Sequence, residues 1–362
     1  MRRLFFFMLL LASAHCRTGR AQEIDITKIL DGKILYEEYA GCASCHGLDG
    51  KGKVEDVKLE PPPPDLSDCA FNTREPRRDW KAVMVHGGPA RGLSMTMPGF
   101  NDALTDEQIE AIISYVKTFC ADRNWPQGEL NFRRPQITSK AFPENEAVFV
   151  PQFTRRENNA AQTKFVYERR LGSRGQWEVS VPLAAEWAKP TTKGLGDIEL
   201  SGKYVLAHNH SSLTILSGGL EVAVPTGKAA SLGIGSGAWK ASPYLAAGKG
   251  FDSFTLQSSV KLEKPLQKNQ GETELLYNLA FTLPLTKEKK GFFPMVEANG
   301  ITNTENGATQ WFVTPQLYIG LVKRGHIGLS LGGQIPVAGE KPFDFKLLGF
   351  LLWEYADGGL WW

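Results

Sequence analysis

The sequence predicts a two-domain chain: an all-α domain of about a hundred residues, then an all-β antiparallel barrel of about 12 strands. Three observations carry this. A Cys-x-x-Cys-His set at 42–46 lies between segments of helical period, period-two alternation begins near Glu146, and the connections within that second part alternate in length. At 362 residues, 42% hydrophobic and 22% charged, the chain has room for two domains. Its 37 Gly, 21 Pro, 20 Phe, nine Trp and nine Tyr lean toward short strands and turns. With 41 basic against 39 acidic residues, a net charge of +2 leaves no reservoir for gripping a polyanion, which argues against nucleic acid as a partner. Mean hydropathy is −0.24, and no apolar run approaches the ~18 residues of a membrane-spanning helix. A membrane β-barrel escapes that test, because alternate polar residues dilute its lipid face.

Residues 1–21 read as a secretory signal. Met1-Arg2-Arg3 is basic, Leu4 to Leu11 is apolar, and small residues follow at Ala12-Ser13-Ala14 and Gly19-Arg20-Ala21. Cleavage after Ala14 or after Ala21 satisfies the small-residue rule, and the second choice removes four arginines and no acid. Cys16 follows Ser13-Ala14-His15, a poor lipobox, so an exported protein without a lipid anchor is expected.

The remaining cysteines divide by chemistry. Cys69 and Cys120 form an even pair in an oxidising compartment, which points to a disulfide, the alternative being two buried thiols. Cys42-Ala43-Ser44-Cys45-His46 has the spacing for two thioether bonds to haem vinyl groups, with the adjacent imidazole ready to ligate the iron. A zinc site needs a second ligand pair that the chain lacks, and a redox dithiol has no use for the histidine. Helices are expected at Ile24 to Ala40, Asp79 to His86 and from Thr105. At the last, Thr105 and Gln108 form a capping box, Leu104 and Ile109 occupy the staple positions, and Ile109, Ile112, Ile113, Val116 and Phe119 make one apolar face.

These features resemble a class I cytochrome c domain over residues 22–121. Gly32-Lys33-Ile34-Leu35-Tyr36, the Cys42–His46 signature with Gly47, and Asp49-Gly50 match the family's first helix and haem loop. Met97-Pro98-Gly99-Phe100 ahead of Leu104-Thr105-Asp106-Glu107-Gln108-Ile109 matches its distal loop and last helix. The resemblance implies one covalent haem c on Cys42 and Cys45, with His46 and Met97 as axial ligands. It also implies that a proline carbonyl, best matched by Pro64, accepts the His46 N–H. Met95 is the competing sulfur, Met84 reads as packing, and His86 is the bis-histidine alternative. An iron with both axial positions filled transfers electrons and does not readily bind dioxygen.

Residues 122–145, with Pro126, Gly128, Pro135 and Pro143, read as a linker or surface strap. From 146 to 362, twelve strands are expected near 146–153, 161–171, 176–184, 197–207, 211–225, 237–247, 251–262, 272–285, 291–300, 309–321, 327–337 and 343–354. Turns of five residues or fewer follow the even-numbered strands and mostly longer loops the odd ones, the pattern of an outer-membrane barrel with both ends in the periplasm. The aromatic end, Phe350 to Tyr355 and then Leu360-Trp361-Trp362, fits that class, although Asp357-Gly358-Gly359 intervenes. Pro284 and Pro315, inside proposed strands, count against it. Glu199, Lys203, Glu274 and Asn278 are candidate lumen residues, and His208 with His210 reads as a polar turn. In arrangement the chain is similar to the fused cytochrome–porin proteins of bacterial outer membranes.

The expected function is a monohaem electron carrier held in the outer membrane, its haem domain in the periplasm. It would exchange electrons with periplasmic redox proteins, and with an extracellular donor if one is reached through the barrel. The alternative is a solute channel with the haem domain as plug, sensor or docking module. A ferrous-iron oxidase is a weaker reading, since no substrate site shows.

Overall fold

The computed structural model describes residues 26–188, 191–227, 235–267, 271–286 and 288–356. The signal segment with Cys16, and the terminal Leu360, Trp361 and Trp362, lie outside them. Among the described residues no helix is long and apolar enough to cross a membrane.

The first domain is a small helical cage. Helix α1 (Ile26–Ile34) runs on through a wider turn, Leu35–Tyr39, followed by α2 (Ala43–His46), α3 (Cys69–Asn72), α4 (Arg77–His86) and α5 (Asp106–Lys117). The capping box forms as expected: Thr105 Oγ1 accepts from Gln108 N, and Gln108 Oε1 accepts from Thr105 N. Helices α1 and α5 cross at Gly32, where any Cβ would run into the Ala111 carbonyl, so only glycine permits the approach. Around this crossing Tyr36, Leu66, Met84, Ile109, Ile112, Ile113 and Val116 form one buried core. The Cys69–Cys120 disulfide is present, its Cα atoms 5.0 Å apart, tying α3 to the chain just past α5.

The second domain is an antiparallel barrel. Its segments are β1 (Glu146–Arg155), β2 (Ala160–Leu171), β3 (Gly175–Glu186), β4 (Thr192–Leu195), β5 (Ile198–Asn209), β6 (Thr214–Val224), β7 (Lys240–Gly250), β8 (Thr255–Pro265), β9 (Glu274–Thr282), β10 (Gly291–Asn303), β11 (Thr309–Gly320), β12 (Ile327–Ala338) and β13 (Phe345–Glu354). Apart from β4 and β5, each pairs with its sequence neighbour, and β1 pairs with β13 from Glu146↔Glu354 to Arg155↔Phe345, which closes the wall. Segments β4 and β5 share one place in it, since both pair with β3, so the barrel has twelve strands. The break falls beside Pro182, which accepts from Gly196 N but has no N–H to return.

The proline objections resolve locally. Pro284 lies beyond the end of β9, and Pro315 sits where the ladder from β11 to β12 skips Thr314 and Pro315. Strands β1 and β10 extend further than the sequence pattern suggested, so the connections after them shrink to residues 156–159 and 304–308. Strand β9 instead ends early and leaves residues 283–290 as a longer turn, so the expected alternation of connection lengths holds only in part. Alternation along each strand turns large apolar side chains outward, among them Phe165, Leu183, Leu206, Leu245, Leu331 and Leu347. Backbone groups are paired around the ring and the outer face is apolar, which is what a lipid bilayer requires of a strand protein.

Residues 130–144 do not form a surface strap. They run inside the barrel, with Leu130, Phe132, Thr138, Lys140, Ala141, Phe142 and Glu144 all buried. Glu297 on β10 accepts from the backbone N–H of Gln136, Ile137 and Thr138 and from Thr138 Oγ1 and Gln316 Nε2. Lys203 donates to the carbonyls of Lys140 and Phe142, Ser217 donates to that of Ala141, and Gln257 donates to that of Arg133. Arg134 pairs with Glu146 and Glu168, and Lys140 with Glu144 and Glu146. The barrel wall had too much inward polarity to stand empty of partners, and this segment supplies them. Lys203 was anticipated as a lumen residue; that it would meet the chain's own backbone was not.

Replacing Cys69 by Ser removes a cross-link spanning 51 residues and is expected to cost roughly 2–4 kcal/mol. The check is a denaturant titration of the purified protein followed at Trp80, beside α5; identical midpoints for wild type and variant would contradict it.

Candidate haem centre

Three side chains of the signature sit on one helical turn. His46 N bonds Cys42 O at 2.9 Å and Cys45 N bonds the same carbonyl at 3.2 Å, so the two thiols and the imidazole are adjacent on α2. Gly41 and Gly47, both at positive φ, let the chain enter and leave so short a helix. Tyr36, almost fully buried, donates its hydroxyl to the Gly47 carbonyl at 2.8 Å, fastening the turn to the first helix. Behind it, Tyr36, Tyr115 and Phe119 meet edge to face.

The two thiols are free and unlinked to each other, whereas the other pair in the chain is oxidised. Burial pushes the Cys42 thiol up to about 11, with the Cys45 sulfur adding to the effect. Such a thiol is the reverse of the low-pKa thiolate of a redox dithiol. Burial also lowers the His46 pKa, favouring the neutral imidazole that binds metal. The expected bond to a proline is not made: His46 Nδ1 is buried without a hydrogen-bond partner, so the Pro64 carbonyl does not orient this ring. Among the described residues nothing bonds His46 Nδ1, and the Cys42 and Cys45 thiols lie beside the ring. These residues fit a haem c.

The distal loop is placed by close backbone packing. Gly88 N donates to Met97 O at 3.0 Å and Phe100 N donates to Met84 O at 2.8 Å. A Cβ on Gly87 would come within 2.9 Å of Met97 O, and one on Gly99 within 2.8 Å of Val85 O. Met97 is thereby held, partly buried, against the end of α4, while Met95 is 88% exposed. Met84 is buried in the core, as expected of a packing residue, and His86 is exposed.

The haem domain is braced on the short-turn end of the barrel, through residues that sequence reading did not single out. In the turn between β9 and β10, Glu288 pairs with Arg91 at 2.8 Å, while Lys289 reaches Asp79 at 3.2 Å and also pairs with Glu75. Arg91 itself holds Asp79 at 3.2 Å. Glu129 accepts from Arg77 N at 2.7 Å, and its carboxylate lies 3.5 Å from His210 Nδ1 without a hydrogen bond between them. His208 lies at the end of β5, and no metal-ligating cluster of the described residues includes either histidine.

A family model for cytochrome c matches residues 29–119, and one described as "Putative MetA-pathway of phenol degradation" matches residues 170–341. The chain thus carries a segment that matches cytochrome c, followed by a twelve-stranded antiparallel barrel. Among solved structures the chain is similar to the COG4313 outer membrane channel from Pseudomonas putida F1. That likeness has 12% identity and a TM-score of 0.48, covering 61% of this chain and 99% of that one. It is also similar to the KdgM porin (8% identity, TM-score 0.41, 57% and 98% covered) and the NanC porin (8%, 0.42, 57% and 98%). No match was found among curated proteins.

Met97→Ala is expected to lower the midpoint potential by on the order of tenths of a volt, within the roughly 0.8 V that axial ligands span. The reduced variant should also bind carbon monoxide. Met95→Ala should change neither property. Redox titration and a carbon monoxide difference spectrum of both variants decide between the two sulfurs.

Proposed function

We propose that the chain is an electron carrier anchored in the bacterial outer membrane, with one haem c bound through thioether links to Cys42 and Cys45. His46 and Met97 are its axial ligands, and the haem supplies reversible one-electron chemistry. The short-turn end, which carries both barrel termini and the haem domain, faces the periplasm, the side to which an exported chain is first delivered. Its partners are periplasmic redox proteins.

The observation that carries this reading over an open channel is the occupied lumen. Residues 130–144 fill the short-turn half of the barrel and spend their hydrogen bonds on its wall. On the β5–β7 side Leu130, Phe132, Ala141 and Phe142 pack with Val205, Ile215 and Ala246. On the β10–β11 side the Arg133 guanidinium lies over Phe293 and Tyr318. A barrel filled in this way anchors the haem domain and conducts little. One haem braced on one end also cannot carry electrons across an apolar belt of about 25 Å. Exchange therefore takes place on a single face.

Reconstitution in vesicles tests this. Haem accessible from the haem-domain side should be reduced by an added small redox protein. An enclosed electron acceptor should stay oxidised, and small solutes should stay trapped. Rapid leakage from wild-type vesicles, whatever the haem redox state, would favour the channel.

Glu297→Leu removes the acceptor for five donors of the inserted segment and wall. It should raise single-channel conductance well above a nearly closed wild-type baseline in planar bilayers, with the haem spectrum unchanged. Equal conductance would mean that Glu297 does not hold the segment in place.

A further inference from the structure

The lumen contains a second feature that the haem chemistry does not use. Beyond the inserted segment, the long-loop end of the barrel opens into a cavity of about 330 Å³. Its depth follows from the inward rows. Glu297 and Ser330 bond the segment and Gln316 bonds Glu297, while Ile301, Phe312 and Gln334, each four residues nearer the long loops than Glu297, Gln316 and Ser330 in turn, line the cavity. The cavity is a cup with the segment beneath it, not a passage.

Four amide side chains, Gln152, Gln162, Gln310 and Gln334, and two cations, Arg156 and Lys346, face this cup, and its lining includes no carboxylate. Arg156 is engaged with Glu186 at 3.1 Å. Lys346 is different. It sits on β13 between Thr154 and Gln334 on the neighbouring strands, its ammonium 4.3 Å from the Phe343 ring centre. Among the described residues it has neither a carboxylate partner nor a hydrogen-bond acceptor.

Other lysines of the barrel show what the chain does elsewhere with such a group. Lys164 on β2 pairs with Glu199 at 2.9 Å, and on β8 and β7 Lys261 pairs with Glu221 at 2.9 Å and Lys240 with Glu263 at 2.5 Å. A partly buried ammonium left without an anion is unfavourable, and aromatic contact offsets only part of the desolvation. Amides, which both donate and accept, suit hydroxyl groups, and a concave site with a few convergent polar groups is the form small-molecule sites take.

We propose that this cup binds a small hydroxylated carboxylate, its carboxylate on Lys346 and its hydroxyls on the glutamine amides. The inserted segment closes the floor, so the ligand is held at the long-loop mouth and does not pass through. The haem takes no part, so this proposal and the electron-carrier reading stand or fall separately.

Calorimetric titration of gluconate into the detergent-solubilised full-length holoprotein at low salt tests it. Wild type should bind gluconate saturably and the neutral analogue glucose far more weakly. Lys346→Gln should lose about tenfold or more in affinity, the scale of one charge-assisted hydrogen bond, and Lys346→Arg should keep most of it. Gln334→Leu should weaken binding with the haem spectrum and heat-modifiable gel mobility unchanged. The proposal is overturned if wild type takes up no gluconate, if glucose binds as well, or if folded Lys346→Gln binds equally. Should Lys346→Gln not fold, unchanged affinity in Gln334→Leu, or displacement-resistant binding as salt rises, would overturn it instead.

Discussion

Buried charge without a partner is the constraint around which this barrel is organised. Arg134, Lys140, Glu144, Glu146 and Glu168 meet inside the wall, where isolated ions would be costly. Neither the wall nor the inserted segment satisfies them alone. The wall brings Glu146, Glu168, Lys203 and Glu297; the segment brings two cations and a run of backbone donors and carbonyls. Each completes the other, and the interior acquires one arrangement in place of a water-filled channel.

The same segment joins the two domains. It leaves the haem domain past the Cys69–Cys120 disulfide and enters the lumen almost at once, so the haem domain has little tether on which to swing. The turn bearing Glu288 and Lys289 then grips Asp79 and Arg91 beside the distal loop. Arg133, within the lumen, donates to the Lys289 carbonyl at 3.1 Å, so plug, turn and haem domain form one connected set of contacts. The helical domain is thereby held on the barrel from several sides.

Much of this was legible in the sequence, for identifiable reasons. Thioether chemistry demands two thiols three residues apart beside a ligand, so the expectation at Cys42, Cys45 and His46 can be formed from local spacing alone. The last helix was readable from Thr105 and Gln108, because capping is a local bond. Strand number was readable because a wall between lipid and lumen imposes period two. The boundaries were less so: strands ran on past the pattern at residues 154–155 and 301–303, where pairing continues after the apolar alternation fades. The Pro64 contact, taken from a family resemblance, did not form, since a loop carbonyl's direction depends on packing that no local rule states.

Residues 130–144 mark the limit most sharply. Their mixed charge, prolines and lack of period are what a solvated strap looks like, and they are also what a plug needs when its surroundings are a polar lumen. Local pattern reports how a segment alternates; it carries nothing about which surface lies opposite. Sequence alone therefore determined the haem signature, the helical cage and the twelve-stranded wall, all set by short-range spacing. Only the tertiary structure decided that the wall is filled, that Lys289 braces the haem domain and that Lys346 faces an open cup. Those depend on long-range partners, Glu297 with Thr138 or Lys289 with Asp79, brought together when the barrel closes.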